Sequence, residues 1–184
     1  MGTEILVQTG DVFGLGDHQS TRLCVKWLDS FIKKHQPSTL LDYGSGTGVL
    51  SILASIRGVP SVLGVEIDPL GVQQAKENAA INLQSGSCRF VLPEDEDTTA
   101  QYDVVVANIL PHILIGLVST LSSRTRQGQM IALSGIRKSE EDAVLESFSP
   151  YFDISVVDSD NGFVLLVGVK KSQLVRNNIR LKSE

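Results

Sequence analysis

The run Leu40-Leu41-Asp42-Tyr43-Gly44-Ser45-Gly46-Thr47-Gly48-Val49-Leu50 passes from apolar residues through three alternating glycines to apolar residues again. It predicts a strand ending at Asp42, a tight turn, and a helix beginning near Thr47. Glycine suits such a turn because the backbone must bend sharply and admit a ligand where a Cβ would collide. The helix start then offers unpaired N–H groups. The spacing is Gly-x-Gly-x-Gly with an acid two residues before it, whereas the dinucleotide fingerprint is Gly-x-Gly-x-x-Gly. A carboxylate at Asp42 would repel a pyrophosphate and would suit a ligand carrying an ammonium and a sulfonium. The next run, Val62-Leu63-Gly64-Val65-Glu66-Ile67-Asp68-Pro69, brings Glu66 18 residues beyond Gly48, where a carboxylate can accept both hydroxyls of a ribose. Glu66 is preferred to Asp68 for this role, because Asp68-Pro69 has the pattern of a helix cap followed by proline. Two other readings stay open at this point: a nicotinamide dinucleotide on the loop, and a merely solvated acid at Glu66.

Outward from this centre the chain alternates between two patterns. Short β-branched or Leu-rich runs at 38–43, 61–67, 88–92, 102–107 and 129–134 read as strands. Stretches with helical spacing lie at 20–34, 47–57, 69–83, 111–123 and 139–150. That alternation predicts βαβ units and a parallel sheet covered on both faces. The end differs, because two strand-like runs, 154–157 and 163–167, flank Asp160-Asn161-Gly162. Asn-Gly is a strong hairpin signal, so the sheet should close with an antiparallel pair.

The 184 residues fit one domain, and 42% hydrophobic with 20% charged residues is ordinary for a globular chain. No apolar run has the length of a membrane span, and Met1-Gly2-Thr3-Glu4 lacks the layout of a secretory signal. A cytoplasmic protein is therefore expected, or an organellar one if a transit segment has been removed. Cys24 and Cys88 are isolated, which suits a reducing compartment and buried apolar filler. His18, His35 and His112 are too scattered for a metal cluster, and no metal is expected. The formal charge is −5, yet residues 170–184 carry five basic side chains against one acid, which makes the rest of the chain strongly acidic. An acidic body argues against nucleic-acid binding and suits a Lys-rich protein surface. The organisation expected is a single domain over 1–169, with an N-terminal strand and covering loop in 1–19 and a solvated basic tail over 170–184.

Three blocks carry a family resemblance. The first is Phe13-Gly14-Leu15-Gly16-Asp17-His18-Gln19-Ser20-Thr21-Arg22-Leu23-Cys24, the second joins the glycine loop to Glu66-Ile67-Asp68-Pro69, and the third joins Val105-Val106-Ala107-Asn108-Ile109-Leu110 to Leu133-Ser134-Gly135-Ile136. With these, the chain resembles the ribosomal protein L11 methyltransferase (PrmA) family over nearly its whole length. Leu15 and Asp17 stand where the family usually has threonines and Ser20 where it has another, Glu66 stands where it usually has Asp, and its usual Gln after Ser134-Gly135-Ile136 is not clearly present. The resemblance implies a Rossmann-like class I methyltransferase fold: α/β, a mostly parallel doubly wound sheet with a C-terminal antiparallel hairpin strand. It implies S-adenosyl-L-methionine as cofactor and S-adenosyl-L-homocysteine as product. Thr21 would contact the cofactor from a loop over its methionine end, with Phe13 and Gly14 in the same loop. Gly44 would lie against it through the backbone beside Asp42, Gly46 and Gly48, and Glu66 would hold the ribose. Asn108 looks like the asparagine of the Asn-Pro-Pro-Tyr motif of amine methyltransferases and would serve both cofactor and acceptor. Family members also carry an N-terminal domain that recognises the ribosomal protein, and this chain begins where that domain would end.

The implied chemistry is methyl transfer to an amine of a protein, lysine or N-terminal, most naturally a ribosomal protein, by a monomeric enzyme. A neutral amide at Asn108 can accept N–H bonds from an amine without favouring the ammonium, as a carboxylate would. The plainer reading of Asn108 is a turn residue capping the helix near Pro111. His18 is expected to pin the first loop, Tyr43 to pack, and Glu94-Asp95-Glu96-Asp97 to form a solvated loop, with Pro93 and Glu94 as candidate adenine contacts. The alternatives carried forward are methylation of another protein, a base or a small-molecule amine, and a non-catalytic cofactor-binding partner subunit.

Overall fold

The computed structural model describes residues 5–8, 18–82 and 88–172. Phe13, Gly14, the covering loop and the tail beyond Ser172 therefore lie outside the described residues. Seven strands form one sheet: β1 (Thr39–Tyr43), β2 (Ser61–Val65), β3 (Cys88–Val91), β4 (Tyr102–Asn108), β5 (Thr125–Arg137), β6 (Phe152–Asp160) and β7 (Phe163–Lys170). Their order is β3-β2-β1-β4-β5-β7-β6. β3, β2, β1, β4 and β5 pair in parallel, and β7 inserts antiparallel between β5 and β6. The helices are α1 (Gln19–His35), α2 (Val49–Ile56), α3 (Pro69–Asn82), α4 (Pro111–Gly116), α5 (Val118–Arg124) and α6 (Glu141–Phe148).

The middles of the central strands are apolar on both faces because both faces are covered, and the two-residue pleat divides their side chains. Leu40, Val104 and Val106 point into a core with Leu28 and Ile32 of α1 and Leu50 and Leu53 of α2. Leu41, Val105 and Ala107 point the other way, onto Leu114 of α4, Leu121 of α5 and Phe148 of α6. The strand order reverses between β1 and β4, which opens a crevice at the carboxyl edge where ligands of open α/β sheets bind.

The hairpin turns as expected, with Asn161 at φ 45° and Gly162 at φ 82°. Four details differ from expectation. β5 begins at Thr125 and runs to Arg137, because its amino end pairs with Tyr102 before the bulge. The stretch over 111–123 is two helices that break at Leu117. Residues 5–8 join no strand; the Leu6 and Gln8 backbones are hydrogen-bonded by the side chains of Asn82 and Asn78 on α3. Lys170 is no tail residue, since it ends β7, donates to the Ser122 carbonyl at 2.6 Å and lies over the Tyr151 and Phe152 rings.

Candidate active site

A cavity of about 660 Å³ lies in that crevice. Its floor is the glycine loop. Gly44 and Gly46 line it, both at positive φ (79° and 51°), and the Gly44 and Ser45 amides donate to the Val65 carbonyl at 2.8 and 3.0 Å. At Gly44 a Cβ would collide with Ile109 Cγ2, so a side chain there would have to displace the Ile109 side chain. Gly48 behaves differently and does not line the cavity. It caps α2 at φ 82°, and a Cβ would strike Phe90 at 2.7 Å and Ala75 at 3.1 Å, so it serves the packing of the loop onto α3 and β3. The structure thus places Gly48, expected as a cofactor contact, in the packing of the loop and outside the lining of the cavity.

Asp42 lines the cavity at the end of β1 and is 1% exposed. Its Oδ2 accepts from the Ser51 amide at 3.2 Å and the Ser51 hydroxyl at 2.7 Å. Burial pushes its carboxyl from 3.8 up to about 7; the Ser51 bonds pull it back, and the charge of Glu66 pushes it further up. Glu66 bridges the loop and the next turn, its Oε2 accepting from the Gly46 amide at 2.8 Å and its Oε1 from the Asp68 amide at 3.0 Å. A carboxylate has about four acceptor sites, so both oxygens keep capacity for a ligand. Asp68 takes the capping role, Oδ1 accepting from the Leu70 amide at 3.0 Å beneath Pro69.

Asn108 ends β4 on the opposite wall. Its Nδ2 donates to Thr21 Oγ1 at 3.1 Å, which joins strand and helix across 87 residues of sequence. Its Oδ1 is buried with no partner. The helix-cap reading of Asn108 fails, because the cap of α4 is Leu110 and no side chain bonds there. Among the described residues five buried side-chain atoms lack a partner, and two of them, Asn108 Oδ1 and Ser45 Oγ, belong to residues that line this cavity. Buried polar atoms are rarely left orphaned, and those that are call for an explanation.

Thr21 lines the cavity from the first turn of α1 and is 1% exposed. His18 caps that helix, its Nδ1 accepting from the Ser20 amide at 3.3 Å and lying 2.8 Å from the Ser20 hydroxyl, while its ring meets Phe163 edge-on at 4.8 Å. Ser134 is fully buried, and its one hydroxyl hydrogen is shared between the carbonyls of Ser20 (3.3 Å) and Val164 (3.2 Å), which brings α1, β5 and β7 together. Gly135, at φ 82°, has its Cβ position 2.5 Å from the Ile109 carbonyl oxygen, which lets β5 close on the wall of the site. The roles of Ser51 and Ser134 escaped the sequence, although a serine inside the apolar run Val49-Leu50-Ser51-Ile52-Leu53 was a signal.

The acidic loop also departs from expectation. Glu96 is not solvated. Arg124 Nε donates to its Oε1 at 2.6 Å, and the two side chains are 7% and 2% exposed, for Arg and Glu respectively. The pair clamps the β3–β4 connection onto the end of α5, and neither Pro93 nor Glu94 lines the cavity. Tyr43 packs against the second core, where burial first, and then Glu96, raises its phenol. Burial pushes the thiols of Cys24 and Cys88 up to about 12, so both are inert apolar filler. Among the described residues no group of acids, histidines and cysteines is placed to hold a metal, and no helix is long and apolar enough to cross a membrane.

Comparison with known proteins matches this architecture. The family description "Ribosomal protein L11 methyltransferase (PrmA)" fits residues 3–171. Ribosomal protein L11 methyltransferases of Thiobacillus denitrificans and Neisseria gonorrhoeae are 43% and 41% identical over 162 residues, 88% of this chain and 53% of each relative. The chain thus spans about half the length of the curated relatives it matches. A crystal structure of ribosomal protein L11 methylase from Lactobacillus delbrueckii subsp. bulgaricus superposes with a TM-score of 0.79 at 28% identity, covering 91% of this chain and 86% of that one. The N-methyltransferase NodS of Bradyrhizobium japonicum, solved with S-adenosyl-L-homocysteine, shares the fold at a TM-score of 0.68 and 10% identity, covering 86% and 91% of the two chains. The seven-stranded, Rossmann-like chain belongs to the ribosomal protein L11 methyltransferase family.

Proposed function

We propose that this chain is an S-adenosylmethionine-dependent protein N-methyltransferase whose acceptor is an amine of ribosomal protein L11. The observation that carries this reading is the buried, unpartnered Oδ1 of Asn108 on one wall of a cavity whose other wall is the glycine loop, Asp42 and Glu66. The residues fit the cofactor. Glu66, already oriented by two backbone amides, would accept the ribose hydroxyls; Gly44 and Gly46 leave the close approach open; Asp42 supplies a buried acid near the cationic end. Thr21 would close the methionine end, and Phe13 and Gly14 remain candidates outside the described residues.

S-adenosylmethionine supplies an electrophilic methyl group on a sulfonium. The protein's task is to hold a neutral amine in line with it. Asn108 Oδ1 accepts an N–H of that amine, which aims the lone pair away from the amide and leaves the nitrogen unprotonated. As the N–C bond forms, the C–S bond breaks, and the proton released from the methylated nitrogen passes to solvent. A positioned neutral acceptor serves better here than a carboxylate, which would raise the pKa of the amine and tie up its lone pair. The names of the bacterial relatives support the ribosomal acceptor, and a cytoplasmic place of work accords with it.

The test is transfer of a labelled methyl group from S-adenosylmethionine into a bacterial ribosomal fraction, with protein and RNA then separated. Label is expected in the protein band of L11. Label confined to RNA, or to other proteins, would contradict the acceptor proposed.

A further inference from the structure

Asn108 can orient an amine only if its own amide is held. The last torsion of an asparagine side chain is broad, so a partner must fix it. Among the described residues the hydrogen bond made by its nitrogen runs to α1: Nδ2 donates to Thr21 Oγ1 at 3.1 Å, while Oδ1 of this cavity-lining residue stays buried without a partner. We infer that Thr21 is a positioning residue for Asn108, holding the amide so that its oxygen is presented to the acceptor amine. This rests on the amine-methyltransferase reading above and extends it to a residue that the sequence marks only as a cofactor contact.

The hydroxyl is itself held still. Thr21 is 1% exposed, one residue after Ser20, whose amide is capped by His18 and whose carbonyl accepts from the buried Ser134 hydroxyl. The same Ser134 hydroxyl lies 3.2 Å from the Val164 carbonyl and shares its one hydrogen between the two, so the first turn of α1 is held beside β5 and β7. The chain of contacts runs from the sheet through Ser134, Ser20 and Thr21 to Asn108. Each bond is between residues far apart in sequence or at the helix start, which makes the amide's orientation a property of the assembled fold.

Thr21→Val keeps the shape of the side chain and removes the acceptor, and Thr21→Ser keeps the acceptor. Single-turnover transfer from labelled S-adenosylmethionine to ribosomal protein L11, with this chain in excess, is measured beside calorimetric titration of S-adenosylmethionine. Thr21→Val should lower the rate roughly 5- to 50-fold, the range expected when a buried donor loses its partner, and should weaken the cofactor by much less than that, because valine still packs at the methionine end. Thr21→Ser should bring the rate back to within about threefold of the parent. An unchanged rate in Thr21→Val would overturn the inference, as would a loss of cofactor affinity as large as the loss of rate. Asn108→Ala in the same assay separates the two ideas. If it transfers like the parent, the reading of Asn108 falls, and the orientation is then decided by hydrogen exchange of the Asn108 side-chain NH₂ read by NMR. Exchange should be slow in the parent and in Thr21→Ser and at least tenfold faster in Thr21→Val; equal exchange in all three refutes the inference.

Discussion

Asp42 is the group through which pH should act most strongly on this fold. Its carboxyl rises from 3.8 in an ordinary setting to about 7 in the folded chain, chiefly because burial penalises the charge. Between those two values the folded chain holds a proton that the unfolded chain has released. The folded state therefore binds more protons than the unfolded one, so stability falls as pH rises from about 4 to about 7 and is flat in this respect above that. A displacement of about three units corresponds to a loss on the order of 4 kcal/mol at alkaline pH. Asp42→Asn keeps an oxygen to accept from Ser51 and carries no charge, so it should abolish the loss. For a chain of this size each kcal/mol moves Tm by roughly 2–4 °C. At pH 8 the ligand-free variant should therefore melt roughly 8–15 °C above the parent, and at pH 4.5 the two should coincide within a few degrees. Differential scanning calorimetry over that range reads both. The variant should also bind S-adenosylmethionine more weakly at pH 8, because the charge facing a cation is gone. A variant whose Tm differs from the parent by the same amount at both pH values would refute the assignment of the buried proton to Asp42.

Glu66→Ala should weaken S-adenosylmethionine binding by about 1.5–3 kcal/mol by titration calorimetry, the range for hydrogen bonds to a charged group; unchanged affinity would move the ribose to Asp68. Gly48→Ala should destabilise the chain by roughly 1–3 kcal/mol in urea unfolding, because it adds strain at φ 82° and a collision with Phe90; parental stability would show that the loop yields at no cost. Arg124→Met should cost about 3–5 kcal/mol by leaving Glu96 buried and unpaired, and adding Glu96→Gln should recover much of it; failure of the second change to recover any stability would mean that the pair is not the clamp.

The centre of the site was legible because its signals are local. A strand-like run, alternating glycines, a helix start and an acid at the end of the next strand can each be recognised from neighbours in sequence, and β1, α2 and β2 follow them closely. The hairpin was legible for the same reason, through Asn161-Gly162. What remained hidden depends on partners distant in the chain. Nothing near Glu96 shows that Arg124 will bury with it, nothing near Asp42 shows that Ser51 will turn its hydroxyl inward, and Gly48 carries the spacing of a ligand contact while Phe90 and Ala75 decide its role. The amino end of β5 was missed because Thr125-Arg126-Gln127-Gly128 is polar, and its strand character comes only from pairing beside Tyr102. Asn108 was named from a resemblance, and its orphaned oxygen became visible only once α1 was seen to take its nitrogen.

The central claim is that Asn108 Oδ1 holds the acceptor amine while the rest of the cavity holds the cofactor. Its most direct test is the single-turnover rate of methyl transfer to ribosomal protein L11 by Asn108→Ala, with S-adenosylmethionine saturating for each protein. Loss of a group that aligns the reacting nitrogen should lower this rate about 100-fold, since misalignment on the scale of an ångström has that effect. A rate within about threefold of the parent would contradict the claim, because an amine that reacts as fast without the amide was never held by it.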